Sequence, residues 1–329
     1  MRILFMGTPD FACESLKALY NEKYEIIGVV TNIDKPKGRG MKLVESPVKE
    51  FAVENKIKVY QPIKVRNNPE FIEEIKKMSP DLICVVAYGK ILPKELLEIP
   101  KYGCINVHGS LLPKYRGAAP IQWAVLNGDK KTGITTMYMD EGMDTGDMLL
   151  KEEVTINDDE TTGELWEKLS KIGAKLLVET IKNIENGTIK RIKQTDDYTL
   201  APMLSKEMAI IDWENKQACE IKNLVRGLNP IIGAYSYLNG KKIKFWKVDV
   251  LSEKDLFAKY PEIGEYKERL KETQPGTVLF SNAKQGLYIK SNNGIISVIE
   301  VQGENAKKMN IHDFLRGNSI DAGSIFENI

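Results

Sequence analysis

Cys104-Ile105-Asn106-Val107-His108-Gly109-Ser110-Leu111-Leu112-Pro113 is the run on which the architecture of this chain turns. A short apolar segment ends in Gly-Ser and then Leu-Leu-Pro, as a buried strand does where it leaves a sheet for an ordered loop. Strand side chains alternate faces, so Asn106 and His108, two apart, point the same way. An amide donor then stands beside an imidazole at a strand end. Such a pair suits attack on a carbonyl, because the amide stabilises the oxyanion and the imidazole moves a proton. The plainer alternative is a strand-end histidine satisfied by a backbone partner.

Working outward, residues 2–6, 25–31, 81–87 and 103–108 are short runs rich in Ile, Val and Leu. Helical patterns around 10–21, 46–55, 69–78 and 93–98 separate them. This alternation predicts an α/β fold with a doubly wound, mostly parallel, Rossmann-like sheet buried on both faces. Runs at 133–139 and 147–154 add two strands, and a long amphipathic helix is expected from about 161 to 186. Its apolar stripe is Leu165, Leu169, Leu176, Leu177 and Ile181, and Asn186-Gly187 suits its end. The first domain is placed at 1–188.

Residues 189–206 have no clear period and read as a linker. A C-terminal domain over 207–329 has a different character. After a helix at 215–226 come Tyr235-Ser236-Tyr237-Leu238, Asn239-Gly240 and Ile243-Lys244-Phe245-Trp246. Asn-Gly between alternating segments is a strong hairpin signal. Further strands at 276–281, 286–290 and 295–301 make this a small antiparallel β-barrel of the OB type. The charged segment 252–273 looks helical and separate from that core.

Composition narrows the function. The 329 residues have room for two domains, and 42% apolar with 28% charged content is that of an ordinary globular protein. No apolar run is long enough to span a bilayer. The opening Met1–Gly7 reads as a strand and not as a signal peptide. Four scattered cysteines without a Cys-x-x-Cys pair fit a reducing cytoplasm, and two distant histidines argue against a metal centre. A net charge of +1 neither demands nor excludes a nucleic-acid partner.

The first βα turn, Gly7-Thr8-Pro9-Asp10-Phe11, has one glycine where a dinucleotide fingerprint needs three, and no P-loop exists. Ligands of doubly wound sheets bind beyond the carboxyl ends of the strands. Asn106, His108 and the turn Asp140-Glu141-Gly142-Met143-Asp144-Thr145-Gly146-Asp147 belong there. Its two glycines allow a tight backbone that turns one carboxylate inward, where it would orient an imidazole and favour its charged form. A solvated acidic turn is the commoner fate. The loop 31–42 carries Lys35, Lys37, Arg39 and Lys42 against Asp34, and Lys241, Lys242, Lys244 and Lys247 cluster on the expected hairpin. Each is either surface charge or a phosphate contact.

Together these segments resemble the methionyl-tRNA formyltransferase family, within the folate-dependent formyltransferases. The matching runs are Met6–Phe11, Asp34–Gly40, Val86–Pro93, Asn106–Gln122, Asp140–Asp147 and Tyr198–Glu207, spread over essentially the whole chain. Asn-x-His, Ser-Leu-Leu-Pro and the distal Asp go with the chemistry. The Gly-Arg-Gly loop, the Ala-Pro-x-Leu-Ser-Lys-Glu segment and the β domain go with the tRNA-acting branch. One departure is visible: segment 252–273 is longer than the family usually has there.

The resemblance implies formyl transfer from 10-formyltetrahydrofolate to the free amine of methionyl initiator tRNA, for translation initiation; a cytoplasmic monomer is expected, and the chemistry requires no metal. It implies catalysis by Asn106, His108 and Asp144. Folate would lie in an apolar slot of Ile91, Leu92, Ser110, Leu111, Leu112 and Pro113. The tRNA would meet Arg39, Lys42, Lys241, Lys242, Lys244 and Lys247. Alternatives left open are a formyltransferase acting on an amino sugar nucleotide or a purine-precursor amine, and a catalytically silent folate- or RNA-binding protein.

Overall fold

The computed structural model describes residues 1–37, 42–261 and 272–327. They fall into two compact units. The first comprises Met1–Ile121, Lys131–Ile156 and Glu164–Met203, and the second comprises Gln122–Lys130, Asn157–Gly163 and the chain from Leu204 onward.

The strands of the first unit are β1 (Arg2–Gly7), β2 (Glu25–Val30), β3 (Lys35–Lys37), β4 (Lys42–Val44), β5 (Val59–Tyr60), β6 (Leu82–Val86), β7 (Cys104–His108), β8 (Lys131–Tyr138) and β9 (Met148–Thr155). Seven of them form one sheet in the order β5-β2-β1-β6-β7-β8-β9. The pairings from β5 through β7 are parallel, and β8 and β9 are antiparallel. Strand order reverses between β1 and β6, so the ligand crevice of this topology opens at their carboxyl ends. Ile3, Leu4, Phe5 and Met6 are all fully buried, as a central strand covered on both faces requires.

Helices α1 (Asp10–Asn21), α2 (Pro47–Glu54), α3 (Pro69–Met78) and α4 (Lys94–Leu97) follow the parallel strands, and α5 (Pro120–Leu126) and α6 (Thr162–Glu185) come later in the chain. Ser46 and Asn68 accept from backbone N–H groups at the starts of α2 and α3, each followed by a first-turn proline. The apolar stripe of α6 is buried as its spacing predicts. Where α6 meets β7 it carries Gly173, whose added Cβ would lie 3.0 Å from Val107 Cγ1. The helix therefore presses closely on Val107, and the opposite face of β7 is left to Asn106 and His108.

The basic loop after β2 contains a hairpin, β3 against β4, that no sequence period announces, because three-residue strands containing Pro36 show none. Its root is a polar knot. The Asn32 amide donates to Thr8 Oγ1 at 3.0 Å and to the Tyr88 carbonyl at 2.9 Å. The Gln61 amide donates to the Asn32 carbonyl at 2.8 Å and to Asp34 Oδ1 at 2.9 Å. All four cysteines are free thiols, three of them buried, and burial pushes the Cys104 thiol up to about 12, so these three act as packing residues.

In the second unit, α7 (Ala218–Gly227) precedes β10 (Ala234–Leu238), β11 (Lys241–Leu251), α8 (Glu253–Lys259), β12 (Val278–Asn282), β13 (Gly286–Ser291), β14 (Gly294–Gly303), β15 (Met309–Asn310), α9 (Ile311–Gly317) and β16 (Phe326–Glu327). The antiparallel sheet runs β12-β13-β14-β11-β10-β16, with β15 added on β14. Its two ends meet: Val278 N–H donates to the Ser324 carbonyl and Gly323 N–H to the Val278 carbonyl, both at 2.8 Å. The sheet thus closes on itself, which removes the edges an open sheet would expose. Asn239 and Gly240 both have positive φ, 51° and 72°, as the tight turn between β10 and β11 demands. Helix α8 occupies the start of the 252–273 segment and buries Leu256 and Tyr260 in a small cluster with Leu279, Tyr288 and Ile295. Residues 262–271 lie outside the described residues.

Trp213, Phe245 and Phe326 form the centre of the barrel, with ring centroids 5.4–6.0 Å apart. Phe245 is fully buried. Phe245→Ala is expected to destabilise the second unit by about 3–5 kcal/mol. Calorimetry should show the midpoint of its unfolding transition lowered, and an unchanged midpoint would contradict this account of the barrel core.

Candidate active site

Strand β7 delivers Asn106 and His108 to the same face at its carboxyl end. Asn106 is half-buried, and its side-chain amide has no hydrogen-bond partner among the described residues. His108 is 5% exposed, and each ring nitrogen faces an acceptor. Nε2 is 2.9 Å from the Tyr115 carbonyl oxygen, and Nδ1 is 3.6 Å from Asp144 Oδ2. A carbonyl can only accept, so the Nε2 contact requires Nε2 as its donor, while Nδ1 at 3.6 Å makes no hydrogen bond to the carboxylate. The backbone partner that would explain a purely structural histidine is therefore present, but it occupies only one nitrogen.

The acidic turn sorts its four carboxylates. Asp140 Oδ1 accepts from Gly142 N–H at 3.0 Å and from Thr145 Oγ1 at 2.6 Å, closing the turn on itself. Asp147 pairs with Arg191 at 2.9 Å, and Glu141 is exposed, 3.9 Å from Lys94. Asp144 alone turns inward, its backbone at φ 55° in the left-handed region. Its Oδ2 also accepts from Gly117 N–H at 2.8 Å. The structure thus brings His108 and Asp144 together and sets Asn106 on the same strand face.

Three further residues build this corner. Gln194 Nε2 donates to the carbonyls of Asp144 and Gly146 at 2.7 and 2.8 Å. Arg116 Nε donates to Gln194 Oε1 at 2.9 Å, and the guanidinium lies 4.4 Å from the Tyr198 ring centroid. The backbone of Arg116 pairs with Thr199 and Ala201, and a Cβ on Gly117 would fall 2.7 Å from the Ala201 carbonyl oxygen. Residues 194–201, within the stretch that reads as linker, are stitched along the 115–119 loop in the first unit. Sequence reasoning missed Arg116 and Gln194 because their partners lie far away in the chain. The one local signal was Tyr-Arg-Gly, a glycine where the backbone must be approached closely.

The Leu-Leu-Pro turn is held from below. Buried Thr135 donates to the Ser110 carbonyl at 2.7 Å and accepts from Leu112 N–H at 3.1 Å, and Lys151 donates to the Leu112 carbonyl at 2.5 Å. Burial lowers the pKa of Lys151 from its ordinary value. Among the residues expected to form an apolar slot, Leu92 and Leu112 point into core clusters, and Ser110 donates to the Lys114 carbonyl at 2.6 Å. Those three side chains are buried. Leu111 and Pro113 are half-buried, and Ile91 is 69% exposed.

Of the basic residues, Arg39 lies outside the described residues, and Lys42 begins β4, its side chain also outside them. On β11, buried Ile243 and Phe245 alternate with Lys242 and Lys244, which therefore share the outer face. Lys242 Nζ is 3.3 Å from the Tyr235 ring centroid, and Lys244 donates to the Ile232 carbonyl at 2.7 Å. Lys241 follows the turn, and Lys247 sits where the register with β14 shifts. Among the described residues no cluster of His, Cys, Asp or Glu could hold a metal ion, and no helix is long and apolar enough to cross a membrane.

Comparison with known proteins now bears on this geometry. Residues 1–181 match the formyl transferase family and residues 203–319 match the formyl transferase C-terminal domain. The chain is 49% identical over 328 residues to a methionyl-tRNA formyltransferase of Caldanaerobacter subterraneus, covering 99% of this chain and 100% of that one. It is 51% identical over 328 residues to a methionyl-tRNA formyltransferase of Clostridium novyi, with the same coverage. Among solved structures, the N-formyltransferase of Helicobacter canadensis, in complex with folinic acid and dTDP-3-aminofucose, superposes with a TM-score of 0.62 at 20% identity, over 90% of this chain and 98% of that one. That likeness is one of fold.

Proposed function

The chain belongs to the formyltransferases, in the family of methionyl-tRNA formyltransferases, and from that premise we propose that it carries the formyl group of 10-formyltetrahydrofolate to the α-amine of methionyl initiator tRNA. The observation that carries the residue assignment is the pair of His108 and Asp144, 3.6 Å apart, with His108 on the same strand face as Asn106, whose amide has no partner among the described residues. The solved relative with folinic acid supports a folate donor. Four free thiols fit a reducing compartment, and we place the enzyme in the cytoplasm as a monomer.

The chemistry follows from the atoms. The neutral amine attacks the formyl carbon, a C–N bond forms, and the carbonyl electron pair moves to oxygen. Asn106 donates to that oxyanion. The attacking nitrogen, now positively charged, gives a proton to His108 Nδ1, the ring nitrogen not tied to a carbonyl, and Asp144 stabilises the imidazolium. When the intermediate collapses, the bond to folate N10 breaks and the proton returns to that nitrogen. Protons balance over the cycle, and no oxidant or reductant enters.

For folate we retain Ile91, Leu111 and Pro113 as side-chain contacts, since these reach the surface. For the tRNA we propose the outer face of β11 with Lys241, Lys242, Lys244 and Lys247, joined on sequence grounds by Arg39 and Lys42. An ammonium has three donors, so Lys244 keeps two after serving Ile232.

Formylation assays with charged initiator tRNA, an amino sugar nucleotide and glycinamide ribonucleotide test the reading directly, and activity confined to either of the last two would overturn it. His108→Ala is expected to slow turnover ~10²–10⁴-fold. Asn106→Ala should cost roughly 10²–10³-fold. Near-normal rates from folded variants would sink these assignments. Replacing the four lysines by glutamine should flatten the log–log salt dependence of tRNA binding by about 0.7–0.9 for each phosphate that is no longer neutralised. An unchanged slope would move the tRNA face elsewhere.

A further inference from the structure

We propose that Gln194 is a positioning residue for the reaction: its side-chain amide holds the backbone of the Asp144 turn and thereby sets the Asp144 carboxylate against His108. The inference rests on the reading above, in which that pair moves the proton.

Asp144 adopts a left-handed backbone, φ 55°, which non-glycine residues enter only when their surroundings hold them there. Asp140 closes the early part of the turn through Gly142 and Thr145. The later part is closed from outside. The carbonyls of Asp144 and Gly146 both accept from one atom, Gln194 Nε2, at 2.7 and 2.8 Å. The amide cannot be reversed without loss, because its oxygen accepts from Arg116 Nε at 2.9 Å. A flipped amide would aim an N–H group at a guanidinium and an oxygen at two carbonyls.

Arg116 in turn is a firm anchor. It is 8% exposed, its Nη2 donates to the Thr195 carbonyl at 3.4 Å, and its guanidinium stacks over Tyr198. Its backbone N–H donates to the Thr199 carbonyl at 2.8 Å and its carbonyl accepts from Ala201 N–H at 2.7 Å. The next residue, Gly117, donates to the Asp144 carboxylate itself at 2.8 Å. One short loop therefore grips Asp144 twice, at the backbone through Arg116 and Gln194 and at the carboxylate through Gly117. The side-chain hydrogen bonds of Gln194 and Arg116 go to each other and to backbone carbonyls. Their effect passes through the direction of one carboxylate, where displacements well under the length of a bond matter.

The test uses the full chain with charged initiator tRNA and 10-formyltetrahydrofolate, comparing Gln194→Ala, Gln194→Glu, Asp144→Ala and the double variant Asp144→Ala/Gln194→Ala. Gln194→Glu keeps the size and the Arg116 partner, and it serves where truncation costs folding. A carboxylate has no N–H for the two carbonyls. Both Gln194 variants should lose about 10- to 10²-fold in kcat, with KM for either substrate little changed. The double variant should turn over no more slowly than Asp144→Ala, because an effect transmitted through Asp144 vanishes with it. Wild-type kcat in Gln194→Glu would overturn the proposal and leave the catalytic reading standing. So would a double variant slower by the full Gln194 factor, which would mark a general structural role. Wild-type turnover in Asp144→Ala would overturn the catalytic reading itself, and the positioning role with it.

Discussion

The site depends on one strand being buried on both sides. Strand β7 lies between β6 and β8, and Val107 is pressed by α6 at Gly173. With Val107 committed to the helix, the pleat leaves Asn106 and His108 no choice of face. His108 cannot swing away, because it is almost wholly enclosed. A flexible loop bearing the same two residues would have to lose conformational entropy on every turnover, at about 1–2 kcal/mol per ordered residue. The sheet does this ordering once, during folding.

What the strand cannot do is supply the carboxylate. Enclosing a charged group costs free energy unless other dipoles meet it. Asp144 is met by Gly117 N–H and by the imidazole edge, and its own carbonyl by Gln194. The acidic turn gains specificity because its other acids are engaged elsewhere: Asp140 closes the turn and Asp147 pairs with Arg191. Three carboxylates thus serve geometry or solvent, and one faces the histidine. The same matching of polar groups appears under the Leu-Leu-Pro turn, where Thr135 and Lys151 pair with the N–H and the carbonyl of Leu112. Those bonds fix the path of the loop directly after the strand end.

The second unit solves a different problem. Its sheet closes through Gly276, Val278 and Ser324, so its backbone groups pair internally and the outer face can carry charge. Aromatic residues fill the inside of the barrel, and Lys242 and Lys244 alternate on the outside with inward Ile243 and Phe245. The basic face is a consequence of strand periodicity, with the Lys242 ammonium seated over the Tyr235 ring.

Local pattern was enough to determine the elements and the class of chemistry. The strands at 2–7, 25–30, 82–86 and 104–108, the helices between them and the Asn-Gly hairpin all lie within a few residues of where period and turn residues place them. The pair Asn106 and His108 was legible because a two-residue spacing on a strand is a geometric statement by itself. The choice of Asp144 among four acids rested on resemblance to a family, since charge alone does not say which carboxylate turns inward. Tertiary structure decided what depends on partners distant in the chain. It packed 194–201, part of the apparent linker, behind Asp144, gave Gln194 and Arg116 their partners, and sent Leu92, Leu112 and Ser110 inward. The reason is that periodicity records which side of an element meets the core. It does not record which residue, 50 or 78 positions away, completes a hydrogen bond.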